Sequence, residues 1–129
     1  MSLQGKRILV IEDELLLALC VGEALEEQGC EVIGPATSVR QGLNLVETTA
    51  VNGAILDINL NGELVYPVAK ALMDRNIPFL FTTGYSSLDV PSSFRSVPRL
   101  DKPVEPGLFI QVLEKIVYPE TGMGTPMLN

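Results

Sequence analysis

Short runs of consecutive apolar residues alternate along the chain with segments in which apolar residues recur every three or four positions. A continuous apolar run predicts a strand that is buried on both faces, as in a parallel sheet, and the wider spacing predicts an amphipathic helix. The predicted strands cover Lys6–Ile11, Cys30–Ala36, Ala54–Asp57, Ile77–Thr83 and Val97–Asp101.

Helix signals fill most of the intervals between these strands. Asp13 is well placed to cap a first helix that ends near Gly29, and Ser38 can cap a second. A third helix is predicted over Glu63–Arg75, with Pro67 in its first turns, where proline is tolerated best. The predicted apolar faces carry, helix by helix, Leu17, Val21, Ala24 and Leu25; Val39, Leu43 and Val46; Val65, Val68, Ala69 and Leu72; and Phe109, Val112, Leu113 and Ile116.

Strands that alternate with helices indicate βαβ units, and therefore a parallel sheet with helices on both faces. Five such strands predict an α/β fold of the flavodoxin-like type, with strand order 2-1-3-4-5. Residues 85–98 are rich in serine and contain two prolines, so the fourth helix should be short or irregular. We expect one domain over residues 6–117 and a loose C-terminal tail over residues 118–129.

Composition narrows the function classes. A net charge of -7 argues against direct binding to nucleic acid or to an anionic membrane, which both select for a basic face. No signal peptide and no apolar run of about 20 residues is evident, so we expect a cytoplasmic location. The chain has no histidine, which excludes Ser-His, Cys-His and His-metal sites, and we interpret Cys20 and Cys30 as small buried apolar residues.

Polar side chains stand where the predicted strands end. Glu12 and Asp13 follow the first strand, Asp57 ends the third, Thr83 ends the fourth and Lys102 follows the fifth. In an open α/β sheet these carboxyl ends share one edge, where ligands bind. Three carboxylates brought close together repel one another unless a cation lies between them, and Mg²⁺ is the ion that the ligand types favour.

This set of residues predicts phosphoryl chemistry. An Asp57 oxygen could displace a phosphoryl group in line while Mg²⁺ and Lys102 absorb charge, which would give an acyl phosphate. A hydroxyl at Thr83 could then hydrogen-bond the new phosphoryl oxygen and draw its loop inward. Plainer interpretations stay open: Asp57 caps a turn, Lys102 forms a structural salt bridge, and Thr83 satisfies backbone groups at the strand edge.

Five ordered elements together resemble the response-regulator receiver (CheY-like) domain of two-component signalling. They are Glu12–Asp13, Asp57, the turn Asn59–Gly62, Thr83 and Lys102–Pro103, and the resemblance spans about residues 6 to 117.

The resemblance implies a set of ligands and partners. Mg²⁺ would be held by Asp13, Asp57 and the backbone carbonyl of Asn59, with Glu12 acting through water. Asp57 would be phosphorylated by a histidine kinase or a phosphotransfer protein, and Thr83 and Lys102 would sense the phosphate. Such a module would dephosphorylate itself slowly at most and would not be an enzyme. A homodimer is one option, and the downstream protein partner is unknown.

Two departures from the family pattern bear on the switch. Most receivers have an aromatic residue three positions before the lysine, where this chain has Arg99. Residues 78–85 are similar to the Pro-Phe-x-Phe-Ala-Thr-Gly-Tyr signature of an atypical receiver subgroup, with Thr82 in place of alanine. In that subgroup the kinases tend to be of the HWE type. We therefore hypothesise that phosphorylation orders or repositions Tyr85–Arg99, although Arg99 could simply be a solvated charge.

Other function classes fit the sequence less well. We predict a single-domain regulator or an excised receiver, and a phosphorylation-independent adaptor is the main alternative. A phosphatase of the haloacid-dehalogenase type would need an acid where Asn59 stands. A nucleotide or flavin site would need a glycine-rich loop after the first strand, where Glu12–Glu14 would repel phosphate.

Overall fold

Strands and helices alternate along the computed structural model, which describes residues 2–84 and 89–119. The strands are β1 (Arg7–Ile11), β2 (Glu31–Ala36), β3 (Gly53–Asp57), β4 (Asn59–Leu60), β5 (Glu63–Leu64), β6 (Phe79–Thr83) and β7 (Arg99–Asp101). The α-helices are α1 (Leu15–Glu27), α2 (Val39–Thr48), α3 (Tyr66–Asp74) and α4 (Pro106–Val117), and a 3₁₀ turn covers Ser92–Phe94.

Five of these strands form a parallel sheet in the order β2-β1-β3-β6-β7. Because β6 and β7 are the fourth and fifth predicted strands, this order confirms the predicted flavodoxin-like topology. The three central strands, β1, β3 and β6, are almost entirely buried, as their continuous apolar runs predict.

Two apolar cores cover the two faces of the sheet. Alternate strand residues point to opposite faces, so Leu56 and Phe81 pack against α2 and α3, whereas Ile55 and Leu80 pack against α1 and α4. Both faces are therefore covered by helices, as predicted.

The turn after Asp57 differs from its prediction. Helix α3 begins at Tyr66 and not at Glu63, because Glu63–Leu64 pairs antiparallel with Asn59–Leu60 in a small hairpin. Gly62 has a φ of 96° at the tip of this hairpin, a conformation that glycine adopts without strain. The predicted position of Pro67 in the first turn of α3 is confirmed.

Three residue-level predictions have mixed outcomes. Ser38 caps α2 as predicted, since its hydroxyl accepts a hydrogen bond from the backbone N–H of Gln41 at 3.1 Å. The predicted cap at Asp13 is wrong, because Glu14 is the N-cap of α1 and makes no side-chain cap bond. Cys30 is buried as predicted, but Cys20 is exposed and its predicted burial is wrong.

The connection between β6 and β7 is irregular in its described part. The 3₁₀ turn Ser92–Phe94 is the only helical element that the structure describes between these strands, which agrees with the predicted short fourth helix. Tyr85 and most of the predicted tail lie outside the described residues. Within the described ranges, no helix has the length and hydrophobicity to cross a membrane.

The two ends of the described chain meet at the amino-terminal edge of the sheet. The Tyr118 hydroxyl donates a hydrogen bond to the Ser2 carbonyl at 2.8 Å. The Lys6 ammonium lies 5.2 Å from the centre of the Tyr118 ring, within the range of a cation–π contact. These contacts connect the segment before β1 to the segment after α4.

Candidate functional site

The parallel sheet brings the predicted polar residues to one edge. Asp57 is the last residue of β3 and pairs in register with Thr82 of β6. The backbone N–H of Lys102, just after β7, donates to the carbonyl of Thr83 at 2.8 Å. The carboxyl ends of neighbouring strands therefore converge, as the sequence predicts.

Three carboxylates cluster at this edge. Oxygens of Glu12, Asp13 and Asp57 lie within 4.8 Å of one another. Glu12 and Asp57 are buried, with Asp57 only 3% exposed, and Asp13 is partly exposed. Because like charges at this distance repel and water is largely excluded, the cluster favours a bound cation.

The Lys102 ammonium partly balances these charges. Its Nζ donates to Asp57 Oδ2 at 2.9 Å and lies 3.0 Å from Glu12 Oε1, and both acids are buried. It also lies 3.6 Å from Oε1 of Glu14, a contact that sequence reasoning did not assign. The three consecutive acids at residues 12–14 are the sequence signal that could have indicated this contact. The structural salt bridge that was the plainer interpretation of Lys102 is therefore present. Its partner is Asp57, the residue that would carry the phosphoryl group.

Burial and charge shift the protonation of the central pair. Burial raises the pKa of the Asp57 carboxyl to about 7, while Lys102 opposes this rise and Glu12 adds to it. Burial lowers the pKa of Lys102, but its contacts with Asp57 and Glu12 outweigh burial and raise that pKa. Without a cation, the Asp57 carboxyl is therefore partly protonated near pH 7, whereas Lys102 stays charged.

The hairpin after β3 forms one wall of the site. The backbone N–H of Asn59 donates to Asp57 Oδ1 at 3.3 Å, and the Asn59 side-chain oxygen accepts from the backbone N–H of Gly62 at 2.6 Å. The turn therefore holds its backbone beside the carboxylate. An open depression at this edge is lined by Asp13, Glu14, Asp57, Asn59, Asn61, Gly62, Gly84 and Lys102.

Thr83 and Arg99 take different positions relative to this depression. Thr83 is 1% exposed at the end of β6, and strand alternation places it on the same sheet face as Phe81. Arg99 is exposed on β7, at the edge of the sheet, in register with Phe81. Both lie on the face of the sheet that α2 and α3 cover.

Exposed leucines border the site, and sequence reasoning did not single them out. Leu15, Leu16 and Leu19 are exposed on α1, which begins directly after Glu14, and Leu16 is 74% exposed. Leu108 is exposed on the adjacent helix α4. Three leucines exposed on neighbouring turns of one helix form an apolar surface beside the site.

The donor set fits Mg²⁺. Carboxylate oxygens are the ligands this ion prefers, and it typically takes one or two carboxylates and keeps several waters. Asp13 is partly exposed and lines the depression together with Asp57, which leaves room for water ligands.

Comparisons with known proteins agree on one fold and one family. No protein-family model matches the chain. SdrG from Sphingomonas melonis Fr1 is 37% identical with a TM-score of 0.77, covering 91% of this chain and 99% of that chain. A response regulator receiver domain protein (CheY-like) from Methanospirillum hungatei JF-1 is 28% identical with a TM-score of 0.78, covering 88% of this chain and 94% of that chain.

A longer relative also matches. The transcriptional regulatory protein PdtaR of Mycobacterium tuberculosis is 26% identical over 102 residues, which are 78% of this chain and 50% of PdtaR. The chain therefore spans about half the length of the curated relatives it matches.

Proposed function

Because the chain belongs to the response-regulator receiver (CheY-like) family, we propose that Asp57 accepts a phosphoryl group from a histidine kinase or a phosphotransfer protein. One observation carries this proposal: the buried Asp57 carboxylate lies at a strand end, 2.9 Å from Lys102 and within a cluster of three acids. A phosphorylation-independent adaptor would not need these groups to meet.

The proposed transfer is a single in-line displacement. One oxygen of Asp57 attacks the phosphorus of the donor phosphohistidine, an O–P bond forms, and the N–P bond breaks. The electron pair of the broken bond stays with the imidazole, whose nitrogen takes a proton from water. The products are an aspartyl phosphate and a free histidine on the donor.

Mg²⁺ is the proposed cofactor. Asp13, Asp57 and the backbone carbonyl of Asn59 would hold it, with Glu12 acting through a water molecule. When bound, Mg²⁺ supplies positive charge beside the phosphoryl oxygens. The acid cluster supports this assignment, since its mutual repulsion is relieved by a divalent cation.

Two further residues would sense the phosphate. Lys102 already lies beside the Asp57 carboxylate, so its ammonium can donate to a phosphoryl oxygen with little movement. Thr83 is buried at the end of β6, and its hydroxyl would donate to another phosphoryl oxygen as the strand end moves toward Asp57. This movement would reposition residues 85–99 and so change the surface offered to a downstream protein.

The atypical subgroup is also a proposal for this chain. The sequence over residues 78–85 supports it, as does the single 3₁₀ turn in the described part of the β6–β7 connection. Membership would favour an HWE-type kinase as the donor.

We place the donor protein on the exposed leucines of α1 and α4. A protein that delivers phosphate to Asp57 must cover the mouth of the depression, and Leu15 and Leu16 follow Glu14 on its rim. An apolar helical surface that carries the phosphohistidine fits this patch.

Incubation with acetyl phosphate and Mg²⁺ tests the function. We expect one acid-stable, base-labile phosphoryl group on Asp57, found by mass spectrometry, and none when EDTA replaces Mg²⁺. Asp57→Asn should abolish uptake. Asp74→Asn is the matched control and should leave it unchanged, since Asp74 is exposed and pairs only with Lys70 among the described ion pairs.

The other outcomes identify the competing functions. Continuous release of phosphate over many turnovers would indicate a phosphatase. A folded protein that takes up no phosphate would indicate an adaptor.

A further inference from the structure

Four aromatic rings cluster beneath the site edge, on the sheet face that α3 covers. The Phe94 ring is stacked on Tyr66, with centroids 5.6 Å apart and planes 13° apart. It also makes edge contacts with Phe81 at 5.9 Å and with Phe79 at 6.4 Å. Phe94 therefore touches all three other rings, and each such pair adds to the stabilisation that burial provides.

Phe94 differs from its partners in the element that carries it. Phe79 and Phe81 belong to β6 and Tyr66 begins α3, so these three rings are fixed by regular structure. Phe94 ends the 3₁₀ turn of the β6–β7 connection, yet it is buried. The stack is therefore a main contact that holds this irregular segment against the sheet.

The partner rings are linked to the groups that surround Asp57. Phe81 precedes Thr83 by two residues on the same strand and the same face. Tyr66 follows Val65, whose backbone N–H donates to the carbonyl of Ile58, the residue after Asp57. The strand ends beside Asp57 are therefore connected through short backbone segments to the rings that hold Phe94.

The family pattern would put an aromatic ring on β7, three positions before Lys102. Arg99 stands at that position, in register with Phe81, and it is exposed. The Phe94 ring, from the β6–β7 connection, makes an edge contact with Phe81, as the rings of Tyr66 and Phe79 also do.

Charged groups from both ends of the connection surround Tyr66. Burial raises the pKa of the Tyr66 hydroxyl, while the positive charge of Arg99 opposes this rise and the negative charge of Asp89 adds to it. Asp89 also lies 3.9 Å from Arg95. Tyr66 is thus near residues 89 and 99, which bracket the segment that Phe94 holds.

We propose that Phe94 is the switch ring of this receiver: it stacks on Tyr66 while Lys102 pairs directly with the Asp57 carboxylate, and phosphorylation of Asp57 moves it out of the stack. This inference rests on the proposed function, since it needs a phosphoryl group on Asp57. When Thr83 moves toward that group, β6 carries Phe81 with it and the pocket for Phe94 is lost. Residues 89–98 are then released as the output surface.

A tryptophan reporter tests the movement, because the chain contains no tryptophan of its own. In Phe94→Trp, acetyl phosphate with Mg²⁺ should shift the emission of the introduced tryptophan to longer wavelength as the ring enters water. Adding Asp57→Asn to this variant should abolish the shift. Mass spectrometry on the same samples reports the phosphorylation itself.

The unsubstituted sequence provides a second reporter if the tryptophan disturbs folding. The chain has four phenylalanines, so fluorophenylalanine labelling gives four ¹⁹F resonances, and Phe94→Leu assigns one of them. We expect the Phe94 resonance to move most when Asp57 is phosphorylated, and the resonance of Phe109, on the opposite face of the sheet, to move least.

The affinity for a phosphoryl mimic gives an independent measurement of the switch. If the stack stabilises only the state without phosphate, Phe94→Leu should bind the phosphoryl mimic beryllofluoride, with Mg²⁺, about two- to tenfold more tightly. Leu25→Ala is the control, because it removes a buried side chain from the opposite core. It should lower stability without changing this affinity.

The outcomes separate the switch from the function on which it rests. A phosphorylated Asp57 with no change at residue 94 by either reporter would overturn the switch and leave the phosphoacceptor role intact. Failure of Asp57 to take up phosphate would overturn both. Equal gains in beryllofluoride affinity for Phe94→Leu and Leu25→Ala would also contradict the switch, since general loosening would then explain them.

Discussion

At the scale of single residues, the site is a problem of charge balance. Lys102 provides one positive charge next to Asp57, Glu12 and Glu14, and Asp13 completes the acidic group. Removing one member of a buried ion pair usually destabilises a protein because it leaves the partner unpaired. Lys102 also pairs with the buried carboxylate of Glu12, so it would not be left unpaired. We therefore expect that removing the charge of Asp57 stabilises the protein.

Replacing Asp57 with asparagine should therefore stabilise the metal-free protein at alkaline pH. The pKa of Asp57 is about 7 in the folded protein against an ordinary value of 3.8, so the folded protein binds a proton between these values that the unfolded chain does not. The contribution of Asp57 to the free energy of unfolding consequently rises as the pH falls from about 7 to about 4. Lys102 stays charged throughout that range.

Denaturant unfolding in EDTA at pH 8 and pH 5 measures this effect. We expect Asp57→Asn to raise the free energy of unfolding by about 1–3 kcal/mol at pH 8 and to gain less at pH 5. Asp74→Asn should change it by less than about 0.5 kcal/mol at both values, because its ion pair is exposed. A loss of stability in Asp57→Asn at pH 8 would contradict this charge balance.

Some site residues could be predicted from the sequence and others could not, because the predictions depend on different features of the fold. The position of Asp57, Thr83 and Lys102 at one edge of the sheet could be predicted, because parallel strands place their carboxyl ends together and this depends only on the order of elements. The cap at Asp13 was wrong because the choice among adjacent acids depends on local backbone geometry. The ring of Phe94 was missed because its contacts depend on how an irregular segment folds back.

At the scale of elements, α2 packs so closely against β1 and α3 that its position 42 requires glycine. A Cβ at Gly42 would lie 2.6 Å from Ile11 Cδ1 and 3.1 Å from Val68 Cγ2. Both neighbours are buried, so they have little room to move. Gly22 of α1 provides the contrasting case, since a Cβ at that position would have no neighbour within 4 Å outside its own helix backbone.

Alanine at these two glycines should change stability in opposite directions. In Gly22→Ala the helix gains about 1 kcal/mol because alanine is the better helix former. In Gly42→Ala the same gain is outweighed by an overpacking cost of about 1–3 kcal/mol, so we expect a net loss. Urea unfolding of both variants checks the signs, and two gains would show that the contacts of α2 with β1 and α3 are looser than these distances indicate.

The element boundaries show which sequence signals are sufficient. Continuous apolar runs identified the three central strands β1, β3 and β6, because burial on both faces leaves no polar alternation. The start of α3 was misplaced by three residues, since Glu63 and Leu64 suit a helix locally but pair with Asn59–Leu60 in the fold. A two-residue hairpin strand is too short to leave a period in the sequence.

At the scale of the whole molecule, the surface beside the site has an acidic part and an apolar part. The rim of the depression is acidic at Asp13 and Glu14, and the adjoining surface of α1 is apolar at Leu15, Leu16 and Leu19. A small phosphodonor needs only the depression, whereas a protein donor must also cover the leucines. The two kinds of donor should therefore respond differently to changes in the patch.

Substitution of the patch separates the two routes of phosphorylation. Leu15→Ser combined with Leu16→Ser should slow transfer from a histidine kinase that phosphorylates the unsubstituted chain by at least about fivefold, because buried interface anchors cost this much when truncated. The rate with acetyl phosphate should stay the same. Met73→Ser, at an exposed residue of α3, is the control and should affect neither rate. Equal slowing with both donors would place the defect in the site itself.

The contact between Tyr118 and Ser2 has a practical consequence for such experiments. Both residues lie at the edge of the sheet opposite Asp57, so a surface attachment at Ser2 or Tyr118 would leave the phosphoacceptor edge open to large donors. The same proximity means that a short peptide could join Ser2 to Tyr118 and new ends could be opened in an exposed loop, which would yield a circularly permuted signalling module.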